Sequence, residues 1–278
     1  MMFRKTAAAI LAAFFLVSGC GSIGPSIPIQ TGDRIRTDYT CRVKEGEVIE
    51  TTVSSVADDP SVKKSRVFIK KEAYGPVTII AGQDQPGRTE GDLKPITPEI
   101  RSRIAKAMAG QAKNKAFHLD LESRVPEGID DSVRYSSIQR VRRVPRFRTL
   151  DKDLVVRSLG REPVAGEVFS NETGPYLRIV SVDGDKVTQE SIVHENSGYW
   201  YRWGMIRKEY DGDEVVVTID AQEGDLARTG EVIGRVVKVT ENTITVDWGH
   251  IFGGETLKCD VMVLEDEKPD EQKPKEQK

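Results

Sequence analysis

The sequence predicts an α+β chain, with strands near both ends, one amphipathic helix packed on a sheet, and a β-rich second half. Three observations carry this expectation. Residues 33–43 and 256–264, near the two ends, alternate apolar and polar with a period of two. Residues 98–114 carry apolar side chains at helical spacing, and from about Leu150 onward the chain breaks into short β-runs separated by turns.

In the first segment Ile35, Tyr39, Cys41 and Val43 share one face, and Arg34, Arg36, Asp38 and Arg42 the other, as in a half-buried strand. Lys44-Glu45-Gly46-Glu47 supplies a turn, and residues 48–53 return as the second strand of a hairpin. Residues 66–70 and 76–81 are two more short strands. The helix places Ile100, Ile104, Ala107 and Met108 on one side, with Thr97 as its N-cap and Gly110 near its end. Residues 117–121 follow as a strand. Six arginines then fall within residues 134–148, interleaved with Tyr135, Ile138, Val141, Val144 and Phe147.

Later strands are expected at 176–182, 186–193, 199–206, 214–219, 234–239 and 243–248. An internal echo suggests two related hairpin units: Gly166-Glu167-Val168 precedes Arg178-Ile179-Val180-Ser181-Val182 much as Gly230-Glu231-Val232 precedes Arg235-Val236-Val237-Lys238-Val239. The last strand sets Leu257, Cys259, Val261 and Val263 on one face. Residues 266–278 hold nine charges in thirteen positions with two prolines, the composition of a disordered tail.

With 41 Lys and Arg against 44 Asp and Glu, the net charge is −3. A nucleic-acid binder needs a clear basic excess to neutralise phosphates, so no nucleic-acid partner is expected. The N-terminus reads as an export signal: Arg4 and Lys5 precede the apolar run 7–17, too short to span a bilayer. That run ends in Val17-Ser18-Gly19-Cys20, which resembles a bacterial lipobox and implies cleavage after Gly19 and acylation of Cys20. A membrane partner through this lipid anchor and a cell-envelope location follow. Gly21 in place of an Asp favours the outer membrane over the inner one in a diderm bacterium. The competing reading is an ordinary secreted chain or a short uncleaved anchor.

Once Cys20 is acylated, Cys41 and Cys259 remain. His118, His194 and His250 show no metal-ligand spacing, so neither a metal nor another cofactor is expected.

The ordered parts resemble FKBP-type peptidyl-prolyl isomerases of the SlyD-like branch, in which an extra β-domain is inserted into a flap loop. Tyr39 with Gly46 and Val48-Ile49-Glu50 is similar to the family's first hairpin, and Ile104 to Gly110 with Lys115-Ala116-Phe117 to its helix and next strand. Ile138-Gln139-Arg140-Val141 resembles the exit into the insert, and Val246 to Leu257, with His250 and Phe252-Gly253-Gly254, the return. The resemblance implies an isomerase domain over 31–148 and 250–265, an insert over 149–249, a signal peptide over 1–19 and a tether over 20–30. It implies folding-chaperone activity on unfolded or proline-containing polypeptides.

Isomerisation moves no proton and needs only an apolar pocket that favours the twisted amide. Carried over by position, the pocket residues are Tyr39, Ile49, Glu50, Val77 and Ile100. The resemblance also sets Cys41 beside Cys259 across that pocket, either as a disulfide or as two buried thiols. Departures are plain: Ile100-Arg101-Ser102-Arg103 lacks the family's glycine, and no tyrosine stands at 126–131. A non-catalytic protein-binding scaffold is therefore the competing function, and a purely structural envelope protein the third. In the insert, Tyr199, Tyr201 and Trp203 on one strand face, with Trp200 opposite, either bind polypeptide or form that region's core. The arginine run either meets an anionic lipid or acidic partner or is a solvated face.

Overall fold

The computed structural model describes residues 28–84, 93–169, 176–193, 199–201 and 203–264, with the side chains of 199–201 excepted. The expected signal peptide, Cys20, most of the tether, His194 and the 266–278 tail lie outside the described residues.

The chain begins with strands β1 (Arg34–Arg42) and β2 (Val48–Thr51), helix α1 (Ser54–Asp58), β3 (Val77–Ile80), helix α2 (Ile96–Met108) and β4 (Ala116–Leu121). A helical turn, α3 (Asp131–Arg134), leads into β5 (Tyr135–Gln139), β6 (Val141–Pro145), β7 (Phe147–Asp151) and helix α4 (Lys152–Leu159). Then come β8 (Val168–Phe169), β9 (Tyr176–Asp183), β10 (Lys186–Ile192), β11 (Tyr199–Tyr201), β12 (Gly204–Asp211) and β13 (Glu214–Asp220). The chain closes with β14 (Leu226–Thr229), β15 (Val232–Val239), β16 (Thr243–Asp247), a 3-10 turn (Ile251–Gly254) and β17 (Leu257–Val263).

Among the described residues 45 % lie in strands and 16 % in helical segments, and the strands form four antiparallel sheets. The structure is mainly β, which corrects the expected α+β arrangement of an FKBP-like sheet clasping one helix. Among the described residues thirteen of the seventeen strands fall between Tyr135 and Val263, and α2, the longest helix, shares its core cluster with the first sheet and with Ile233 of β15.

That first sheet has the order β2-β1-β17-β4, with β3 beside the N-terminal half of β1. Ile35, Tyr39 and Cys41 of β1 and Leu257, Cys259, Val261 and Val263 of β17 are buried against Ile100, Ile104, Ala105 and Met108 of α2. Full burial of each large aliphatic side chain stabilises by about 1.5–3 kcal/mol. α2 starts at Ile96, ahead of the expected Pro98, because Pro95 takes the N-cap position and the Ile96 N–H donates to the carbonyl of Glu231. Residues 66–70 form no strand. Val67 is buried in a loop, and its carbonyl accepts from Arg228.

The other three sheets are nested along the chain. β5, β6 and β7 form one extended ribbon with bends at Arg140 and Arg146, and each strand joins a different sheet. The far sheet has the order β7-β10-β9-β8, the middle sheet β6-β13-β12-β11 and the near sheet β5-β16-β15-β14. Each is a meander of three strands closed by one ribbon strand.

The ribbon repeats every six residues. The backbone N–H groups of Arg140, Arg146 and Lys152 donate to the turn carbonyls of Asn242, Asp213 and Asp185 in the near, middle and far sheets. The carbonyls of Arg134, Arg140 and Arg146 accept from Trp248, Ile219 and Ser191 as each meander ends. Ile138, Val144 and Leu150, again six apart, pair with Ile244, Val215 and Val187.

The internal echo is present with a different alignment. Gly166 and Ile179 exchange main-chain hydrogen bonds with each other's surroundings as Gly224 and Val236 do: Gly166 N–H to the Ile179 carbonyl and Ile179 N–H to the Glu167 carbonyl, against Gly224 to Val236 and Val236 to Asp225. Gly166-Glu167-Val168 therefore matches Gly224-Asp225-Leu226, not Gly230-Glu231-Val232. Register shifts leave Val180 and Val237 as the extra residues of matching bulges, 44 % and 41 % exposed.

Candidate functional site

The residues the family resemblance would place in a pocket lie around the centre of β1. Cys41 stands directly opposite Cys259 of β17, their Cα atoms 4.0 Å apart, and the two are joined in a disulfide. Tyr39 is on the same face, and Tyr39, Ile49 and Ile100 all belong to one core cluster with at most 1 % of their surface exposed. Val77 is half-buried against that cluster. The side chains are thus brought together, but as packed interior.

Glu50 is buried opposite Cys41 on the β2 side and pairs with the Lys71 ammonium. Arg228, also buried, donates to the carbonyls of Gly230 and Val67; desolvation lowers its pKa, opposed by the negative charges of Glu50 and Glu231. Burial, helped by the Glu50 charge, pushes the Tyr39 hydroxyl up to about 12, against the lowering influence of Arg101, whose Nε lies 3.4 Å from it. Tyr39 is therefore a protonated, packed phenol at neutral pH.

In the expected polypeptide-binding face, β11 pairs with β12 through Tyr199, Trp200 and Tyr201, whose side chains lie outside the described residues. Trp203 packs into the core shared with Trp248, the rings edge to face with centroids 5.4 Å apart. Trp248 in turn donates its indole N–H to Ser136 Oγ at 2.6 Å.

The arginine run is the ribbon itself. Arg134 makes two hydrogen bonds to the buried Asp247, at 3.0 and 2.8 Å, near His250. The bond to Asp247 raises the Arg134 pKa further. Burial acts to raise the Asp247 carboxyl, but hydrogen bonds from Arg134 and the Gly249 N–H outweigh it and hold the group below its ordinary value. Arg146 grips Glu190 and lies 4.3 Å from the Tyr210 ring centroid and 5.2 Å from that of Phe147. Arg143 pairs with Asp211 and Glu214. These pairs, made to residues from three different sheets, are a consequence of nesting and were not legible from the run itself.

No protein-family model and no curated protein matches this chain.

Elsewhere, His118 lies on the surface with Nδ1 2.7 Å from Asp260, which also takes Arg42. Clefts of about 500 and 350 Å³ open beside α4 and beside Glu99 and Arg103 of α2. Neither contains a residue of the expected pocket. Among the described residues no group of three or more His, Cys, Asp or Glu is placed to hold a metal ion, and no helix is long and apolar enough to cross a membrane.

Proposed function

We propose that this chain is a non-catalytic protein-binding scaffold of the cell envelope, held at a membrane by acylation of Cys20. The observation that carries this reading is the Cys41–Cys259 bridge through a closed core: Tyr39, Ile49 and Ile100 are interior side chains there and offer a prolyl ring no surface. An oxidising compartment is where such a bridge persists, in keeping with the lipobox Val17-Ser18-Gly19-Cys20.

The test is proline-limited refolding of a substrate protein in the presence of the chain from Gly21 onward, with and without reductant, beside a Tyr39→Phe variant. A scaffold leaves the slow phase, tens to hundreds of seconds, unchanged in both redox states. Acceleration by the wild type that Tyr39→Phe diminishes overturns the scaffold in favour of an isomerase. Incorporation of labelled fatty acid, lost in Cys20→Ser, tests the anchor separately.

A further inference from the structure

We propose that the outer edge of the ribbon, from Ser137 to Thr149, is a docking edge for an acidic, extended polypeptide segment that adds to it as a further strand. This deepens the scaffold reading and rests on it, since it names the surface and the chemistry of the partner.

The edge is one continuous ladder. β5, β6 and β7 each stand at the end of their sheet, and no strand among the described residues pairs with their outer side. The inward bonds at the two bends, Arg140 and Arg146, and at the two ends, Arg134 and Lys152, all fall on even-numbered residues. Main-chain groups of a strand point alternately to its two sides. Because the step from sheet to sheet is six residues, an even number, the phase survives both bends. All odd-numbered residues from Ser137 to Thr149 therefore turn their backbone groups away from the sheets, with Pro145 contributing only a carbonyl. At about 3.3 Å per residue this ladder is roughly 40 Å long, whereas a single sheet would offer one ribbon strand of five residues.

Charge selects the occupant. No Asp or Glu occurs between Arg134 and Leu150. Arg134, Arg143 and Arg146 already have carboxylate partners, but Arg142 and Arg148 are exposed and pair with no acid among the described residues. They stand on one side of the ribbon, about 20 Å apart. Val141 and Phe147, each one residue before an arginine and so on the opposite face, are exposed as well. A second copy of this ribbon would bring arginines against arginines and meet Pro145, which blunts self-pairing. A strand alternating acidic and β-branched residues satisfies both the main-chain ladder and the cations, the mode of β-strand addition.

The test uses the full chain and a synthetic peptide of alternating Glu and Val, about thirteen residues long, read by residue-resolved amide exchange and by fluorescence anisotropy. In the free protein the odd-numbered amides of residues 137–149 exchange fast and the even-numbered ones slowly. Saturating peptide is expected to slow the odd set at least tenfold and leave the even set unchanged. The double variant Arg142→Glu, Arg148→Glu is expected to bind at least tenfold more weakly and to accept a Lys/Val peptide instead. A peptide methylated on alternate backbone nitrogens is expected to lose binding to the wild type. Absence of odd-set protection at millimolar peptide, or unchanged affinity in the double variant, overturns the proposal. Failure here with no refolding catalysis leaves the scaffold reading standing without this edge, while refolding catalysis overturns the scaffold whatever the peptide does.

Discussion

Arg134 and Arg146, two six-residue steps apart on one ribbon, each grip a carboxylate at the matching place of a different sheet, Asp247 in the near sheet and Glu190 in the far one. Asp247 pairs in register with Tyr135 and Glu190 with Phe147, each one residue after the arginine. The middle sheet breaks the pattern. There Arg140 precedes Val141, whose partner is Thr218, and the buried Nε of Arg140 has no hydrogen-bond partner among the described residues.

Thr218→Asp is therefore expected to stabilise the chain by about 1 kcal/mol, because it supplies a charge-assisted partner to an unsatisfied buried donor. Urea unfolding checks this. Thr218→Ala, which supplies nothing, should not stabilise.

Acid should weaken the near sheet through Asp247. Its carboxyl is held below the ordinary value in the folded chain, so the unfolded chain takes up the proton first as pH falls. The stabilisation is complete above the unfolded Asp pKa of about 4 and is lost as pH falls through the lower folded value. Urea midpoints measured from pH 6 down to 2 should drop over that window, and the drop should be smaller in Asp247→Asn.

Removing the bridge with Cys41→Ala and Cys259→Ala should cost about 2–5 kcal/mol, since the pair closes a loop with a sequence separation of 218. Both cysteines are buried. Thiol labelling in the presence of reductant should accordingly stay low until denaturant is added, and rise together with unfolding.

The matched bulges separate two adjacent valines. Val236 is buried and Val237 is 41 % exposed. Val236→Ala should cost about 1–2.5 kcal/mol and Val237→Ala stay within about 0.5 kcal/mol of the wild type. Equal losses at both positions, measured by thermal unfolding, would contradict the bulge.

Gly234 marks a close approach of β15 and β16. A Cβ there would lie 2.5 Å from the Trp248 ring and 2.8 Å from the Asp247 carbonyl oxygen. Gly234→Ala should destabilise by about 1–3 kcal/mol and perturb Trp248 fluorescence.

By itself the sequence determined the local conformations wherever one periodicity held without interruption. The alternation of Ile35, Tyr39 and Cys41 and of Leu257, Cys259 and Val261 marks β1 and β17, and Ile100 and Ile104 mark the buried side of α2, because burial of one face imposes the period. The tertiary structure decided what those elements pair with. An alternating segment is compatible with any edge that buries its apolar side, so residues 135–151 gave no sign that one ribbon would serve three sheets, and local likeness to a single-helix fold outweighed the strand-rich remainder. The six-residue spacing of Arg134, Arg140 and Arg146 was present in the chain, but its meaning came from Trp248, Ile219 and Ser191, far away in sequence, closing their sheets on it. The same holds for the expected pocket: Tyr39, Ile49 and Ile100 were legible as apolar and neighbouring, and only three-dimensional packing made them interior.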